Sequence, residues 1–111
     1  MKREREVSFV DQAFLGQKDS GLHAEVFFLE TETSKVVAHT YIEAPGRGDE
    51  ALSLVMGEIQ RKADELQKPI VHEGQPSNKG AVRLFRRTPG YRRKRSLRGP
   101  VYVRTFNPAI I

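Results

Sequence analysis

Two glycines flanking an arginine, Gly46, Arg47 and Gly48, are the first residues whose types and spacing suggest chemistry. They follow a run rich in β-branched and aromatic residues and precede a run with helical periodicity. Backbone N–H groups at the start of a helix are unpaired and favour an anion, and glycines let the anion approach closely. An anion site at a helix N-terminus and a plain turn before a helix would use these glycines equally well, so both interpretations stay open here.

Basic residues are concentrated in the last third of the chain. Residues 79–111 hold ten lysines and arginines and no acidic residue, whereas residues 1–78 hold nine basic and fourteen acidic residues. This asymmetry favours a surface that faces a polyanion, which would be nucleic acid, membrane headgroups or a phosphorylated cofactor. The alternative is a solvated basic face without a dedicated ligand. The candidate nucleic-acid contacts are Arg83, Arg86, Arg87, Arg92, Arg93, Lys94, Arg95 and Arg98.

Other common catalytic and metal-binding patterns are missing from the sequence. The chain has no cysteine, which excludes disulfides, thiolate ligands and a cysteine nucleophile. His23, His39 and His72 lack metal-ligand spacing, so we expect ordinary hydrogen-bonded or surface histidines and no metal site. The sequence also lacks a serine nucleophile elbow, a P-loop and an H-E-x-x-H motif.

Periodicity predicts the elements that would position these residues. Residues 22–30 and 35–43 have strand composition, and the polar residues 31–34 between them indicate a hairpin loop. Residues 50–67 have the opposite periodicity and predict a helix, with Asp49 as its N-cap. The apolar stripe of that helix is formed by Leu52, Val55, Met56, Ile59, Ala63 and Leu66.

The second half of the chain predicts a strand, a helix and a final pair of strands. A short strand at 69–73 leads to a helix that Ser77 or Asn78 would cap, and Pro89-Gly90 would end this helix. The basic run 92–95 and the strand at 100–106 form a possible hairpin. The whole chain, 1–111, is thus predicted as one α+β domain, related to three-layer α/β folds. It would have a mixed, mostly antiparallel sheet and two main helices.

Two local patterns resemble the GCN5-related N-acetyltransferase (GNAT) family. The first is the strand KVVAHTYIE followed by the loop APGRGDEAL, in which Gly46 and Gly48 match the glycines of the family's cofactor loop. The second is Asn78, Ala81, Leu84 and Phe85 followed by Gly90-Tyr91, which is similar to the family's second helix motif with one extra residue. The resemblance covers residues 22–106. Residues 1–20 would then be an N-terminal remnant, with a strand at Val7–Val10.

The resemblance implies an acetyl-CoA-binding protein that transfers an acetyl group to an unidentified amine. It assigns Glu43, at the end of a strand beside the loop, as the candidate base. The family's general acid is a tyrosine at the position of Phe85, so a catalytically silent relative is also implied. The residues that the resemblance places at the cofactor are Ile42, Gly46, Arg47, Gly48, Asp49, Glu50, Asn78 and Phe85.

Two other functions remain open at this point. One is a basic nucleic-acid-binding module, and the other is a silent GNAT-like domain that binds a protein partner through an unshielded side. A shortened fold with an exposed sheet end would also favour a homodimer. No apolar run has the length of a signal peptide or a membrane span, so we expect a cytoplasmic protein without a membrane partner.

Overall fold

Six strands and two helices make up most of residues 4–97 and 99–109, which are the residues that the computed structural model describes. The strands are β1 (Glu6–Gln17), β2 (Leu22–Thr31), β3 (Val36–Glu43), β4 (Ile70–Gly74), β5 (Arg92–Lys94) and β6 (Val101–Phe106). The helices are α1 (Gly48–Leu66) and α2 (Lys79–Arg87), and a short 3₁₀ turn at Lys18–Ser20 joins β1 to β2.

The strands form one mixed sheet in the order β1-β2-β3-β4-β6-β5. Only β3 and β4 are parallel among the described pairs, and α1 is the crossover between them. The turn between β2 and β3 is closed by hydrogen bonds of Thr31 with Lys35 and Ser34. The predicted α+β class, with a mostly antiparallel sheet and two helices, is therefore confirmed.

The N-terminal strand is much longer than the predicted segment Val7–Val10. β1 spans twelve residues and pairs with β2 along its length as an edge strand. Register shifts between Glu6 and Ser8 and between Phe9 and Asp11 break its alternation. A strand with such bulges loses the side-chain period of two, so its sequence pattern does not show its full length. The hydrogen-bonded pairing with β2 defines this length instead.

Both helices pack on the same face of the sheet. Ala24, Val26 and Phe28 of β2 are fully buried against the α1 stripe, and Phe85 of α2 belongs to the same core. We call this the helical face, and the opposite one the open face. The described residues thus form two layers, one of helices and one of strands, rather than three. Neither of these helices is long and apolar enough to cross a membrane.

The open face carries exposed aromatic side chains. Phe9 pairs with Leu29 and Phe14 pairs with Glu25, both in the alternate set of β2 residues that points away from the helices. Phe14 is 67% exposed, and Tyr41 on β3 is also exposed. The open face is therefore partly apolar and uncovered by either helix.

The two helices start differently. The side chain of Asn78 accepts a hydrogen bond from Ala81 N at 2.9 Å, which confirms one of the two predicted caps of α2. The prediction of Asp49 as the N-cap of α1 is wrong, because the helix begins earlier and Arg47 occupies the cap position. Asp49 and Glu50 instead lie in the first turn, where carboxylates are favoured by the helix dipole.

Lys62 fastens β1 to α1. Its side chain is buried under the edge strand, with Nζ 2.5 Å from Asp11 Oδ2 and 2.7 Å from Glu65 Oε2. The hydrogen bond from Lys62 lowers the pKa of both carboxyl groups. A lysine on the buried side of α1 does not fit the apolar stripe of this helix. Its position is explained by β1, which supplies the Asp11 carboxylate as its partner.

Candidate functional site

The candidate site is a cleft that opens where the two parallel strands part. The pairing of β3 with β4 ends at His39 and Glu73. Beyond this point β3 continues to Glu43 and pairs, among the described strands, only with β2. β4 ends at Gly74, and the chain then turns towards α2. One backbone edge of β3 therefore borders a cleft of about 730 Å³.

The cleft brings together residues from both motifs that suggested the family. Its β3 wall contains Ile42 and Glu43. Across from this wall, the start of α2 contributes Asn78 and, further along the helix, Phe85. The loop before α1 and its first turn contribute Gly46, Gly48 and Asp49. The first motif ends at Leu52 and the second begins at Asn78, so 25 residues separate them in sequence. Their convergence is therefore a result of the tertiary fold.

Arg47 and Glu50 do not line the cleft. The Arg47 guanidinium forms two hydrogen bonds with the Glu50 carboxylate, at 2.9 and 3.0 Å. A third hydrogen bond, from Arg47 Nη1 to the Ser20 carbonyl oxygen, measures 2.7 Å. Arg47 thus holds the loop against the turn that follows β1, and Gly46 adopts a left-handed φ of 71° beside it.

Phe85 forms an apolar part of the cleft wall. Its ring stacks on Tyr102 with the ring centroids 5.5 Å apart and an interplanar angle of 8°. The ring also lies against Gly74, where an added Cβ would come within 2.3 Å of Phe85 Cζ. Gly74 therefore permits the close approach of α2 to the sheet, and Phe85 has no hydrogen that it could donate to a ligand.

Charges of both signs surround the mouth of the cleft. Arg83 and Arg87 of α2 belong to its lining, and Arg87 Nη2 is 2.7 Å from Asp49 Oδ2. On the β3 side, the Tyr41 hydroxyl donates to Glu43 Oε2 at 3.3 Å, and the Glu43 charge raises the pKa of Tyr41. An anion at this mouth would meet Arg83 and Arg87. It would have to replace the Asp49 carboxylate at the Arg87 guanidinium or share that guanidinium with it.

A hydrogen-bonded chain that sequence reasoning missed lies behind the cleft. Thr40 lines the cleft, and its Oγ1 is 3.1 Å from Nε2 of the fully buried His72. Nδ1 of His72 is 2.7 Å from the Tyr91 hydroxyl. Burial lowers the pKa of His72 to about 3 and raises the pKa of Tyr91, so both groups are neutral at physiological pH. These hydrogen bonds depend on a polar residue in each of two parallel strands and on the register of those strands. Neither strand's own sequence shows this register, so local patterns could not predict the contact.

The other two histidines lie on the open face. His23 is paired with Glu25 at 3.1 Å, and His39 is paired with Glu6 at 2.5 Å. The three histidines are thus separate and hydrogen-bonded, as the sequence suggested. Within residues 4–97 and 99–109, no group of three or more His, Asp or Glu side chains is placed to hold a metal ion.

The basic cluster forms an exposed strip next to the cleft. Its α2 members are Arg83, Arg86 and Arg87, and its edge-strand members are the three residues of β5. Arg95 follows β5 and is exposed as well, while Arg98 lies outside the described residues. α2 thus presents Leu84 and Phe85 to the core and its arginines to solvent.

The chain was compared with models of protein families, with curated proteins and with solved structures, and it matches none of them.

Proposed function

We propose that this protein binds acetyl-CoA in the cleft between β3 and α2 and transfers the acetyl group to an amine. The observation that carries this proposal is the convergence of the two motifs on one cleft. Gly46 and Gly48 on one side, and Asn78 and Phe85 on the other, were assigned to the same ligand from separate parts of the sequence.

The volume of the cleft and the groups that line it support this ligand. Its volume of about 730 Å³ lies within the usual range for small-molecule sites. The amides of a pantetheine arm can pair with the edge of β3 at 40–43, in the way that an extended peptide adds to a sheet edge. Phosphate groups would lie near the N-terminus of α1, with Arg83 and Arg87 as cationic partners.

The reaction is an acetyl transfer, in which Glu43 acts as the base and none of the described side chains of the cleft takes the role of general acid. Bound acetyl-CoA supplies an acetyl thioester, which a free amine converts to an amide with release of the CoA thiol. Glu43 accepts a proton from the ammonium of the acceptor and so frees the nitrogen lone pair. Phe85 cannot return a proton to the leaving sulfur, so this proton comes from solvent, and we expect slow turnover.

Isothermal titration with acetyl-CoA tests the binding half of this proposal. Ala81 lines the cleft and is half-buried, so Ala81→Leu should fill the site and weaken binding by about tenfold or more. Ser53→Leu on the exposed side of α1 adds the same side chain outside the cleft and should leave binding unchanged. An absence of binding to the wild-type protein at millimolar ligand would reject the proposal.

Release of the CoA thiol in the presence of a panel of amines tests the catalytic half. Amine-dependent release that Glu43→Gln lowers would support an acetyltransferase with Glu43 as its base. Binding without thiol release would identify a silent relative whose cleft holds the cofactor without transfer. In both cases we propose a cytoplasmic location, which cell fractionation would check.

A second candidate function is electrostatic binding of nucleic acid by the basic strip. Arg92, Arg93 and Lys94 form an exposed edge strand, and within the described part of the chain they form no ion pair with an acidic side chain. Guanidinium groups on an open edge can bind successive phosphates. The strip borders the cleft but β5 is outside its lining, so the two functions can be separated by mutation.

The triple variant Arg92/Arg93/Arg95→Ala separates them. It should weaken RNA or DNA binding at about 50 mM salt and flatten the salt dependence, because fewer counterions are released. It should leave the affinity for acetyl-CoA unchanged, whereas Ala81→Leu should have the reverse effect. Absence of any nucleic-acid binding by the wild-type protein at low salt would remove this candidate.

A further inference from the structure

We propose that Thr40 binds the acetyl carbonyl oxygen of the ligand and that His72 and Tyr91 orient the Thr40 hydroxyl for this contact. The inference rests on the proposed function and deepens it, because it names the residue that distinguishes acetyl-CoA from CoA. Thr40 is the first residue of β3 beyond the point where β3 and β4 part, and it lines the cleft.

The position of Thr40 is held from behind by His72. The two residues lie on neighbouring parallel strands, and Thr40 Oγ1 is 3.1 Å from His72 Nε2. His72 is 0% exposed and is packed between Phe85 and Tyr91, with ring centroids 6.1 and 5.5 Å away. A ring enclosed in this way cannot change its orientation freely, so Nε2 stays directed at Thr40.

The direction of the hydrogen bonds follows from Tyr91. A phenol is a strong donor, and His72 Nδ1, at 2.7 Å, is the side-chain partner of the Tyr91 hydroxyl among the described residues. If Tyr91 donates to Nδ1, the neutral imidazole carries its hydrogen on Nε2 and donates to Thr40 Oγ1. The hydroxyl hydrogen of Thr40 is then not used by His72 and is available to the cleft.

A hydroxyl oriented in this way favours a carbonyl oxygen as its acceptor. The chain from Tyr91 through His72 polarises the Thr40 O–H bond, and cooperativity of this kind strengthens the last donor. Acetyl-CoA presents a thioester carbonyl, whereas CoA ends in a thiol and offers no such acceptor. Thr40 should therefore contribute to the affinity for acetyl-CoA and not to the affinity for CoA.

Calorimetric titration of each variant with acetyl-CoA and with CoA tests this inference. Thr40→Val, which keeps the shape of the side chain, should weaken acetyl-CoA binding about five- to tenfold and leave CoA binding unchanged. Thr40→Ser retains the hydroxyl and should keep the preference for acetyl-CoA. The matched control is Thr105→Val on β6, outside the cleft, which should change neither affinity.

The orienting role of the buried pair has its own readout. Imidazole ¹⁵N NMR of the wild-type protein should show His72 as the Nε2-protonated tautomer. Tyr91→Phe should shift the population towards the other tautomer and reduce the preference for acetyl-CoA. Hydrogen on Nδ1 in the wild-type protein would overturn the orienting role.

The outcomes separate this inference from the proposed function. Equal affinities of the wild-type protein for acetyl-CoA and CoA would overturn the inference alone, as would an unchanged preference in Thr40→Val. Absence of binding to both ligands would reject the cleft as a CoA site and the inference with it.

Discussion

At the scale of single residues, the enclosure of His72 should make the stability of the protein depend on pH. Burial first, and then the charges of His39 and Arg104, lower the pKa of His72 from 6.5 to about 3. Between these values the unfolded chain binds more protons than the folded protein. Stability from this residue is therefore complete above about pH 6.5 and is lost as the pH falls towards 3.

We expect the free energy of unfolding to fall by up to about 1.4 kcal/mol per pH unit below the ordinary histidine pKa. Urea unfolding at a series of pH values would measure this slope. His72→Gln keeps a neutral hydrogen-bonding side chain and should flatten the slope, while the contribution of Asp11 and Glu65 remains in both proteins. An identical slope in the variant would show that His72 is not the group responsible.

Tyr102 provides a second test at the residue scale. Its side chain is buried, and its hydroxyl has no hydrogen-bond partner in the described part of the chain. Tyr102→Phe removes an unsatisfied polar group and keeps the ring that stacks on Phe85, so stability should rise by about 1 kcal/mol. Tyr91→Phe is the matched control, because it removes a satisfied hydroxyl and should lower stability by a similar amount. Thermal unfolding would decide, and a loss in both variants would contradict the expectation.

At the scale of elements, two glycines should respond in opposite ways to the same substitution. An added Cβ at Gly74 would meet the Phe85 ring at 2.3 Å, whereas one at Gly57, on the exposed side of α1, would meet no atom within 4 Å. Gly74→Ala should destabilise the protein by about 1–3 kcal/mol, because α2 must move away from β4.

Gly57→Ala should instead stabilise the protein by up to about 1 kcal/mol through the better helix propensity of alanine. Chemical denaturation of the two variants measures both effects. If Gly74→Ala were neutral, the close packing of α2 on the sheet would be wrong. The same variant should also disturb acetyl-CoA binding, since Phe85 lines the cleft.

At the scale of the whole molecule, the open face and its edge strand predict self-association. Val7, Phe9 and Phe14 are exposed on β1, which is a long edge strand, while the opposite edge, β5, is short and basic. Basic edge strands resist pairing, whereas the exposed apolar side chains of β1 can pack against the same side chains of a second copy around a two-fold axis. We therefore expect a homodimer through β1.

Sedimentation velocity over a range of concentrations would test this expectation. Phe9→Ser and Phe14→Ser together should shift the protein towards the monomer. Leu54→Ser, which removes an exposed apolar side chain from α1 on the other side of the sheet, should not. A wild-type protein that stays monomeric at all concentrations would exclude the homodimer.

Much of the fold was predictable because its causes are local. The stripe of α1 and the alternation in β2 and β3 placed these elements within two residues of their observed bounds. β1 was underestimated because its bulges interrupt the alternation. The buried Lys62 was also missed, since its ionic partner Asp11 lies 51 residues away.

The sequence by itself determined the class of fold, narrowed the cap of α2 to Ser77 or Asn78, and contained the two motifs that suggested a cofactor. Each of these depends on residues within a few positions of one another, where hydrogen bonding and side-chain period act. The strand–helix–strand order already favours a parallel pair of β3 and β4, but only the tertiary structure decided where these strands part. The two motifs meet in one cleft at that point, and His72 is buried behind Thr40. The tertiary structure also decided that Arg47 bonds to Glu50 and Ser20. Such contacts form between distant segments, because burial of the common core, and not local preference, brings those segments together.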